Sequence, residues 1–169
     1  IKLCYWPEFT ALGQVIDSME DPEYRVVGEH TQGAGDLLDT FIKQWQPDAL
    51  RTIRMDILDA EVTKMTLNTY IAMKLSFVNH LGRICDSIGA NVDSVTNAVA
   101  SDSRISGNYF SAGVRYGGPC FPHDNIAFEQ LAHSAETTAP LAQAADKINH
   151  THTKWIGDII QDATGQTGT

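Results

Sequence analysis

The chain has 169 residues, with 21 acidic and 12 basic side chains and a net charge of −9. Such an acidic surface repels nucleic acids and anionic membranes, so we expect neither as a partner. The sequence contains no apolar run long enough to cross a bilayer, and its first residues lack the pattern of a signal peptide. Three cysteines without metal or disulfide spacing predict no metal site and a reducing, cytoplasmic environment.

The first third of the chain predicts three short strands and one amphipathic helix. The strands are expected at residues 2–6, 23–28 and 50–55, and the helix at residues 36–45. The loop before this helix contains Gly33 and Gly35, which suggests a dinucleotide-binding turn. The third glycine and the downstream acidic residue of such a fingerprint are missing, so we interpret the segment as a plain βα unit.

A long helix is predicted from about Ile57 to Ser87, with Gly89 as its stop signal. Its apolar residues recur at helical spacing: Ile57, Val62, Met65, Ile71, Leu75, Val78, Leu81 and Cys85. A helix of about 30 residues is about 45 Å long, more than a small domain can cover. We therefore expect part of its surface to meet a second copy in a two-fold homodimer. The alternative is a helix that breaks near its middle and packs internally.

Three shorter helices are expected after the long one. Asn91 or Asp93 is a candidate cap for the first, which runs through Ala100. The second is predicted from Asn125 to Ser134, with Asp124 as its cap. The last is predicted to begin at Thr138 or Ala139 and to run to about Asp162. The fold class is therefore mixed and mainly α.

One cysteine lies in a stretch of unusual stiffness, Tyr-Gly-Gly-Pro-Cys-Phe-Pro-His-Asp at residues 116–124. Glycines allow a ligand to approach the backbone, and prolines fix it, so Cys120 is a candidate nucleophile. The alternative is an ordinary buried cysteine in a turn. A cysteine hydrolase is a weaker alternative, because His123 is too close in sequence to serve readily as the base.

Other polar residues have both a functional and an ordinary interpretation. Lys64 and Asn68 are four residues apart on one helix face, where they could stabilise an oxyanion or simply be solvated. Arg104 could bind a phosphate or carboxylate, or pair with Asp102. Glu8 follows a strand end, where ligands often bind, but could be a surface glutamate.

Four segments together resemble the UDP-glucose/GDP-mannose dehydrogenase family. Residues 116–124 resemble its catalytic cysteine loop, and Pro-Glu-Phe at 7–9 resembles a segment of its first domain. Residues 60–68 resemble its Ala-Glu-x-x-Lys-x-x-x-Asn helix, and residues 102–105 its Asp-x-Arg-Ile loop. The segments occur in the family's order and cover nearly the whole chain.

The resemblance implies a domain organisation. Residues 1–56 are expected to be a βα remnant, the C-terminal part of an NAD-binding Rossmann-like domain. Residues 57–163 are expected to form a helical central dimerisation domain built on the long helix, and 164–169 a flexible tail. The glycine fingerprint for NAD is expected before Ile1, and a sugar-nucleotide-binding domain after Thr169. A non-catalytic dimerisation module, or a truncated or decayed homologue, is the alternative.

The resemblance also implies an NAD-dependent oxidation of a sugar CH2OH to a carboxylate. Cys120 is expected to form a thiohemiacetal and then a thioester. Lys64 and Asn68 are expected to stabilise oxyanions, Asp124 to position the lysine and a water, and Glu8 to act as the base in hydrolysis. The isolated chain is expected to be inactive, because the site of the hydride acceptor lies mostly outside it.

Substrate contacts are implied for a further set of residues, with Arg104 reaching a nucleotide sugar in the partner subunit. The other expected substrate-binding residues are Tyr109, Phe110 and Gly117. The sequence departs from the family's pattern at three positions. Leu12 replaces a second glutamate, His123 replaces a lysine, and Pro119 stands where serine is common.

Overall fold

The computed structural model describes residues 2–11, 13–44 and 51–165. The chain divides into two compact units, Ile1–Thr66 and Leu67–Thr169. Their boundary falls inside the long helix, so this helix contributes to both units. The domain boundaries expected from the sequence, 1–56 and 57–163, remain predictions.

The first unit is a small βα unit. It contains strands β1 (Cys4–Tyr5), β2 (Arg25–Glu29) and β3 (Thr52–Asp56), and helices α1 (Val15–Glu20) and α2 (Asp36–Ile42). The sheet order is β1-β2-β3, with β1 antiparallel and β3 parallel to β2. The three strands lie where the sequence places them, and so does the helix, although it ends at Ile42, so Lys43 and Gln44 of the predicted helix are not helical. Leu50, the expected first residue of the third strand, and Trp45, the last residue of the predicted helix, fall outside the described residues.

Gly28 in β2 allows the first turn of the long helix to pack closely on the sheet. A Cβ atom at this position would lie 2.8 Å from Cβ of Ala60 and 2.9 Å from Cα of Ile57. Only glycine fits such an approach between a strand and a helix.

Helix α3 (Ile57–Ile88) is unbroken over 32 residues, which corresponds to about 48 Å. It ends as the sequence predicts, because Gly89 adopts a left-handed φ of +73°. The amide of Ala90 donates to the carbonyl of Cys85 over 2.9 Å, and the amide of Gly89 to that of Asp86 over 3.3 Å. This is the Schellman arrangement, which satisfies the last carbonyls of a helix. The alternative of a helix broken near its middle is wrong.

Three further helices complete the second unit: α4 (Val92–Ala100), α5 (Cys120–Ser134) and α6 (Pro140–Thr164). Asn91 caps α4 by accepting from the amide of Ser94 over 2.8 Å. Pro140 occupies the first turn of α6, as expected. Small residues on the buried face of α6, Ala142 and Ala145, form part of the core. The chain is thus a mixed, mainly α fold.

The start of α5 corrects the sequence prediction. The helix begins at Cys120, five residues before the expected Asn125, so Asp124 lies inside it and is not its cap. Pro122 is tolerated here because the first-turn amides of a helix have no intrahelical partner to lose. The correction moves the cysteine from a loop to the first residue of a helix.

Candidate functional site

Cys120 is exposed at the amino-terminal end of α5, and its thiol is free. Asp124 follows it by one helical turn, so the two side chains share one face of α5. The orphan amides and the dipole of a helix N-terminus favour negative charge, which suits a thiolate nucleophile. The thiol is therefore open to an electrophile, unlike the buried Cys85. The interpretation of Cys120 as an ordinary buried cysteine is wrong.

Asn68 connects α3 to this helix. Its Nδ2 donates to Oδ2 of Asp124 over 2.6 Å, and the side chain of Asp124 is only 16% exposed. The other oxygen of Asp124 lies 3.4 Å from Nδ1 of His123, whose ring is exposed. The predicted residues Cys120, Asp124 and Asn68 are therefore brought together within the second unit.

Lys64 precedes Asn68 by one turn of α3, so the backbone places both residues on one helix face. Within the first unit, Nζ of Lys64 lies 5.6 Å from the centre of the Phe9 ring, a cation–π contact. The predicted Pro-Glu-Phe segment and the predicted lysine are thus neighbours. Glu8 is exposed beside Phe9, and Leu12 lies outside the described residues.

The Arg104 loop, residues 102–110, presents its arginine to solvent. Nε and Nη2 of Arg104 donate to the two carboxylate oxygens of Asp102 over 2.9 and 2.5 Å. These hydrogen bonds lower the pKa of the Asp102 carboxyl and raise that of the guanidinium. The Arg104 side chain is 85% exposed, so the pairing with Asp102 orients the guanidinium and leaves it accessible to solvent. This geometry is compatible with both interpretations of Arg104, as the partner of Asp102 and as a residue that binds an anion.

Lys74 of α3 holds the same loop, a role that the sequence analysis missed. Its Nζ donates to the carbonyl of Asn108 over 2.7 Å, and longer bonds of 3.3 and 3.4 Å reach the carbonyls of Ile105 and Ser106. It also lies 5.6 Å from the centre of the Phe110 ring. One ammonium group therefore binds three carbonyl groups of the Arg104 loop.

The expected substrate-binding residues differ in exposure. Tyr109 is 47% exposed and adopts a φ of +57°. Phe110 is only 7% exposed and stacks on Phe77, with ring centres 6.2 Å apart, and its amide donates to the carbonyl of Gly107 over 3.2 Å. Gly117 is exposed, and a Cβ there would meet nothing within 4 Å.

The approach segment, residues 113–116, is fixed by buried polar side chains of α3 and α6. Asn79 donates to the carbonyl of Val114 and accepts from the amide of Gly113, and Nε2 of His152 lies 2.7 Å from the carbonyl of Gly113. Asn149 donates to the carbonyl of Tyr116 and accepts from its amide, each over 3.0 Å. We call Asn79, Asn149 and His152 the polar cluster.

Sequence reasoning missed the polar cluster, although one signal was present. Asn149 and His152 share the buried face of α6 with Ala142 and Ala145, at spacings of three and four residues. Polar side chains at such positions need buried partners. Those partners are backbone groups more than 30 residues away in sequence, which spacing alone does not reveal.

The βα loop of the first unit does not fit the pyrophosphate of a dinucleotide. The amide of Gly35, at the start of α2, donates to Oε1 of Glu29 over 2.7 Å and is not free for a phosphate. Arg54 is already paired with Glu29, Asp36 and Asp39, so the surroundings remain acidic.

Among the described residues, no group of three or more His, Cys, Asp or Glu side chains could hold a metal ion. Within the same residues, no helix is long and apolar enough to span a membrane.

Comparison with known proteins decides the family. Residues 58–151 match the UDP-glucose/GDP-mannose dehydrogenase family, central domain. The chain belongs to this family. The matched residues include Lys64 and Asn68 of α3, the Arg104 loop, and helix α5 with Cys120.

Individual relatives agree with this assignment. UDP-glucose 6-dehydrogenase TuaD of Bacillus subtilis is 32% identical over 159 residues, which is 94% of this chain and 34% of that protein. UDP-glucose 6-dehydrogenase 3 of Arabidopsis thaliana is 31% identical over 161 residues, 91% of this chain and 33% of that protein. The structure of a UDP-glucose dehydrogenase from Pyrobaculum islandicum superposes with a TM-score of 0.89 at 26% identity, covering 97% of this chain and 37% of that one. The chain thus spans about a third of the length of the relatives it matches.

Proposed function

We propose that the chain is the central part of an NAD-dependent nucleotide-sugar 6-dehydrogenase. The observation that carries the proposal is the exposed thiol of Cys120, one turn from a carboxylate that Asn68 holds over 2.6 Å. The relatives named as UDP-glucose 6-dehydrogenases support the same class of substrate. The substrate is then a nucleotide sugar whose CH2OH group is oxidised to a carboxylate.

In the proposed reaction, Cys120 is the nucleophile. After the alcohol is oxidised to an aldehyde, the thiolate adds to the carbonyl carbon, and the oxygen takes up a proton to give a thiohemiacetal. Loss of a hydride and a proton converts this adduct to a thioester. Water then attacks the thioester carbon, the C–S bond breaks, and the carboxylate leaves while the thiol is restored. NAD, when bound, would accept both hydrides.

The other predicted residues have separate roles in this proposal. Asn68 and Lys64 donate hydrogen bonds to the oxyanion that forms when the thiolate or water adds. Asp124 keeps the amide of Asn68 oriented and positions the lysine and the hydrolytic water, and Glu8 accepts the proton of that water. Arg104, Tyr109, Phe110 and Gly117 contact the nucleotide sugar, with Arg104 acting on a substrate in the partner subunit. None of the described residues is assigned a part in accepting the hydrides.

The test is to incubate the complete gene product with NAD and one of UDP-glucose, GDP-mannose or a UDP-N-acetylhexosamine, and to count NADH per sugar. We expect two NADH and one carboxylate per sugar consumed. Cys120→Ser is expected to abolish acid formation, whereas Cys4→Ser, at a half-buried cysteine, is expected to keep it. A folded protein that reduces NAD with none of these sugars contradicts the proposal, as does full acid formation by Cys120→Ser.

A second candidate function, dimerisation, is favoured by one face of α3. Apolar and aromatic residues with one histidine recur every three or four residues along it, which we call the heptad stripe: Tyr70, Met73, Phe77, His80, Ile84 and Ile88. Tyr70 and Phe77 are 54% and 55% exposed, and Ile88 is 72% exposed. A 3.5-residue apolar repeat packs best against another helix. We propose that this face joins two copies of the chain in a homodimer.

A further inference from the structure

Tyr116 connects α6 to the first turn of the cysteine helix. Its hydroxyl donates to Oδ1 of Asp146 over 2.5 Å, and Asn149 binds both its amide and its carbonyl. Its ring packs edge-on against Phe121, with ring centres 6.1 Å apart and planes at 66°. Phe121 is the residue after Cys120. A continuous set of contacts therefore runs from α6 through Tyr116 to the neighbour of the thiol.

The two bonds to Asn149 are buried and the bond to Asp146 is half-buried, which makes them strong constraints on position. Tyr116 is 5% exposed and Asn149 is 4% exposed. A side-chain amide that pairs with both the N–H and the C=O of one residue fixes the backbone on both sides of that residue. The hydroxyl bond adds a third fixed point, and removal of a buried partner leaves the other group unsatisfied. By contrast, Gly117, Gly118 and Pro119, which separate Tyr116 from Cys120, are exposed.

We propose that Asn149 and Asp146 are positioning residues that set the location of Cys120 through Tyr116. They do not contact the thiol. They fix the peptide at Tyr116, and the tyrosine ring fixes Phe121, so the first turn of α5 keeps one position relative to Asn68. Nucleophilic attack tolerates little displacement of the reacting atom, so loss of this constraint lowers the rate of the chemical step more than substrate binding. The expected effect on the rate of the chemical step rests on the proposed function, whereas the expected effect on the position of Cys120 does not.

The test measures the mobility of Cys120 directly. A nitroxide label is attached to Cys120 in a Cys4→Ser background, since Cys85 is buried. We expect the spectra of Tyr116→Phe and Asn149→Ala to show a more mobile label than the parent. Gln143→Ala, at an exposed position of the same helix, is the matched control and is expected to keep the parent spectrum. Folded Tyr116→Phe and Asn149→Ala proteins with the parent spectrum overturn the proposal.

Two features keep this test decisive. If Asn149→Ala does not fold, Tyr116→Phe decides, because it removes a single oxygen atom and retains the ring contact with Phe121. In the complete gene product, both variants are expected to lower kcat by about tenfold or more with KM changed by less than about twofold. A more mobile label in the variants, together with no turnover by the unsubstituted complete gene product, supports the positioning role and contradicts the dehydrogenase proposal. An unchanged label and an unchanged kcat overturn the positioning role and leave the dehydrogenase proposal standing.

Discussion

Asn68 and Asp124 are 56 positions apart in sequence, yet Nδ2 of one lies 2.6 Å from Oδ2 of the other. The bond ties the middle of α3 to the first turns of α5, one turn from Cys120. Because a carboxylate accepts only, it fixes the amide of Asn68 with its NH2 group towards Asp124. Both residues lie in segments that resemble the family's motifs, and the structure brings them into contact.

The coupling between these two residues is measurable as a stability difference. In a double-mutant cycle with Asn68→Ala and Asp124→Ala, we expect a coupling free energy of about 1–3 kcal/mol, because the bond involves a charged, largely buried acceptor. Chemical denaturation of the four proteins gives this value. Asn68→Ala combined with Asp158→Ala, at an exposed site on α6, is the control and is expected to be additive. Additivity in the Asn68 and Asp124 cycle would show that the hydrogen bond contributes nothing.

Lys74→Met tests whether one ammonium group orders the Arg104 loop. The substitution keeps most of the aliphatic stem but leaves three carbonyl groups without their donor. We expect faster amide hydrogen exchange at residues 104–110 and, in the complete gene product, a higher KM for the nucleotide sugar, since Arg104 is a proposed ligand. Lys147→Met, at an exposed position of α6, is the matched control. Exchange at the loop that is unchanged in Lys74→Met would contradict this role.

Ile84→Glu tests the heptad stripe. Ile84 is 43% exposed, so the substitution is expected to cost little in a monomer but to place two carboxylates in a two-fold interface. We expect sedimentation velocity to show a shift from dimer to monomer, with unchanged circular dichroism. Ile126→Glu, at a 56% exposed residue of α5, introduces the same charge outside the stripe and is expected to leave the dimer intact. A dimer that persists in Ile84→Glu, or a wild-type chain that is monomeric, would exclude the stripe as the interface.

Local signals predicted much of the fold. The apolar repeat over α3 and the left-handed glycine at its end are properties of neighbouring residues, so both ends of the helix were found within one residue. The start of α5 was missed because Pro119 and Pro122 resemble a loop. Pro122 is compatible with α5 only because it lies within the first turn of the helix.

The candidate site was predictable only in part. Cys120, Asp124 and Asn68 were found because four co-ordered motifs carry them. Lys74 and Asn149 were not found, since their partners are backbone carbonyl and amide groups, which any residue supplies. A sequence shows which side chain is polar and buried at helical spacing, but not which distant peptide it binds.

Tyr116 predicts a dependence of stability on alkaline pH. Burial, followed by the bond to Asp146 and its negative charge, raises the pKa of the Tyr116 hydroxyl above its ordinary value of 10.0. A group with a raised pKa in the folded state stabilises that state fully below its unfolded pKa, and this stabilisation is lost as the pH rises above about 10. We therefore expect the free energy of unfolding to decline above that pH, and to decline less steeply in Tyr116→Phe. Burial, and then the charge of Glu23, also raises the pKa of Tyr24. Tyr24→Phe is therefore expected to make its own, separate reduction in the decline of the unfolding free energy. If Tyr116→Phe declines as steeply as the wild type, the hydroxyl of Tyr116 does not carry this pH dependence.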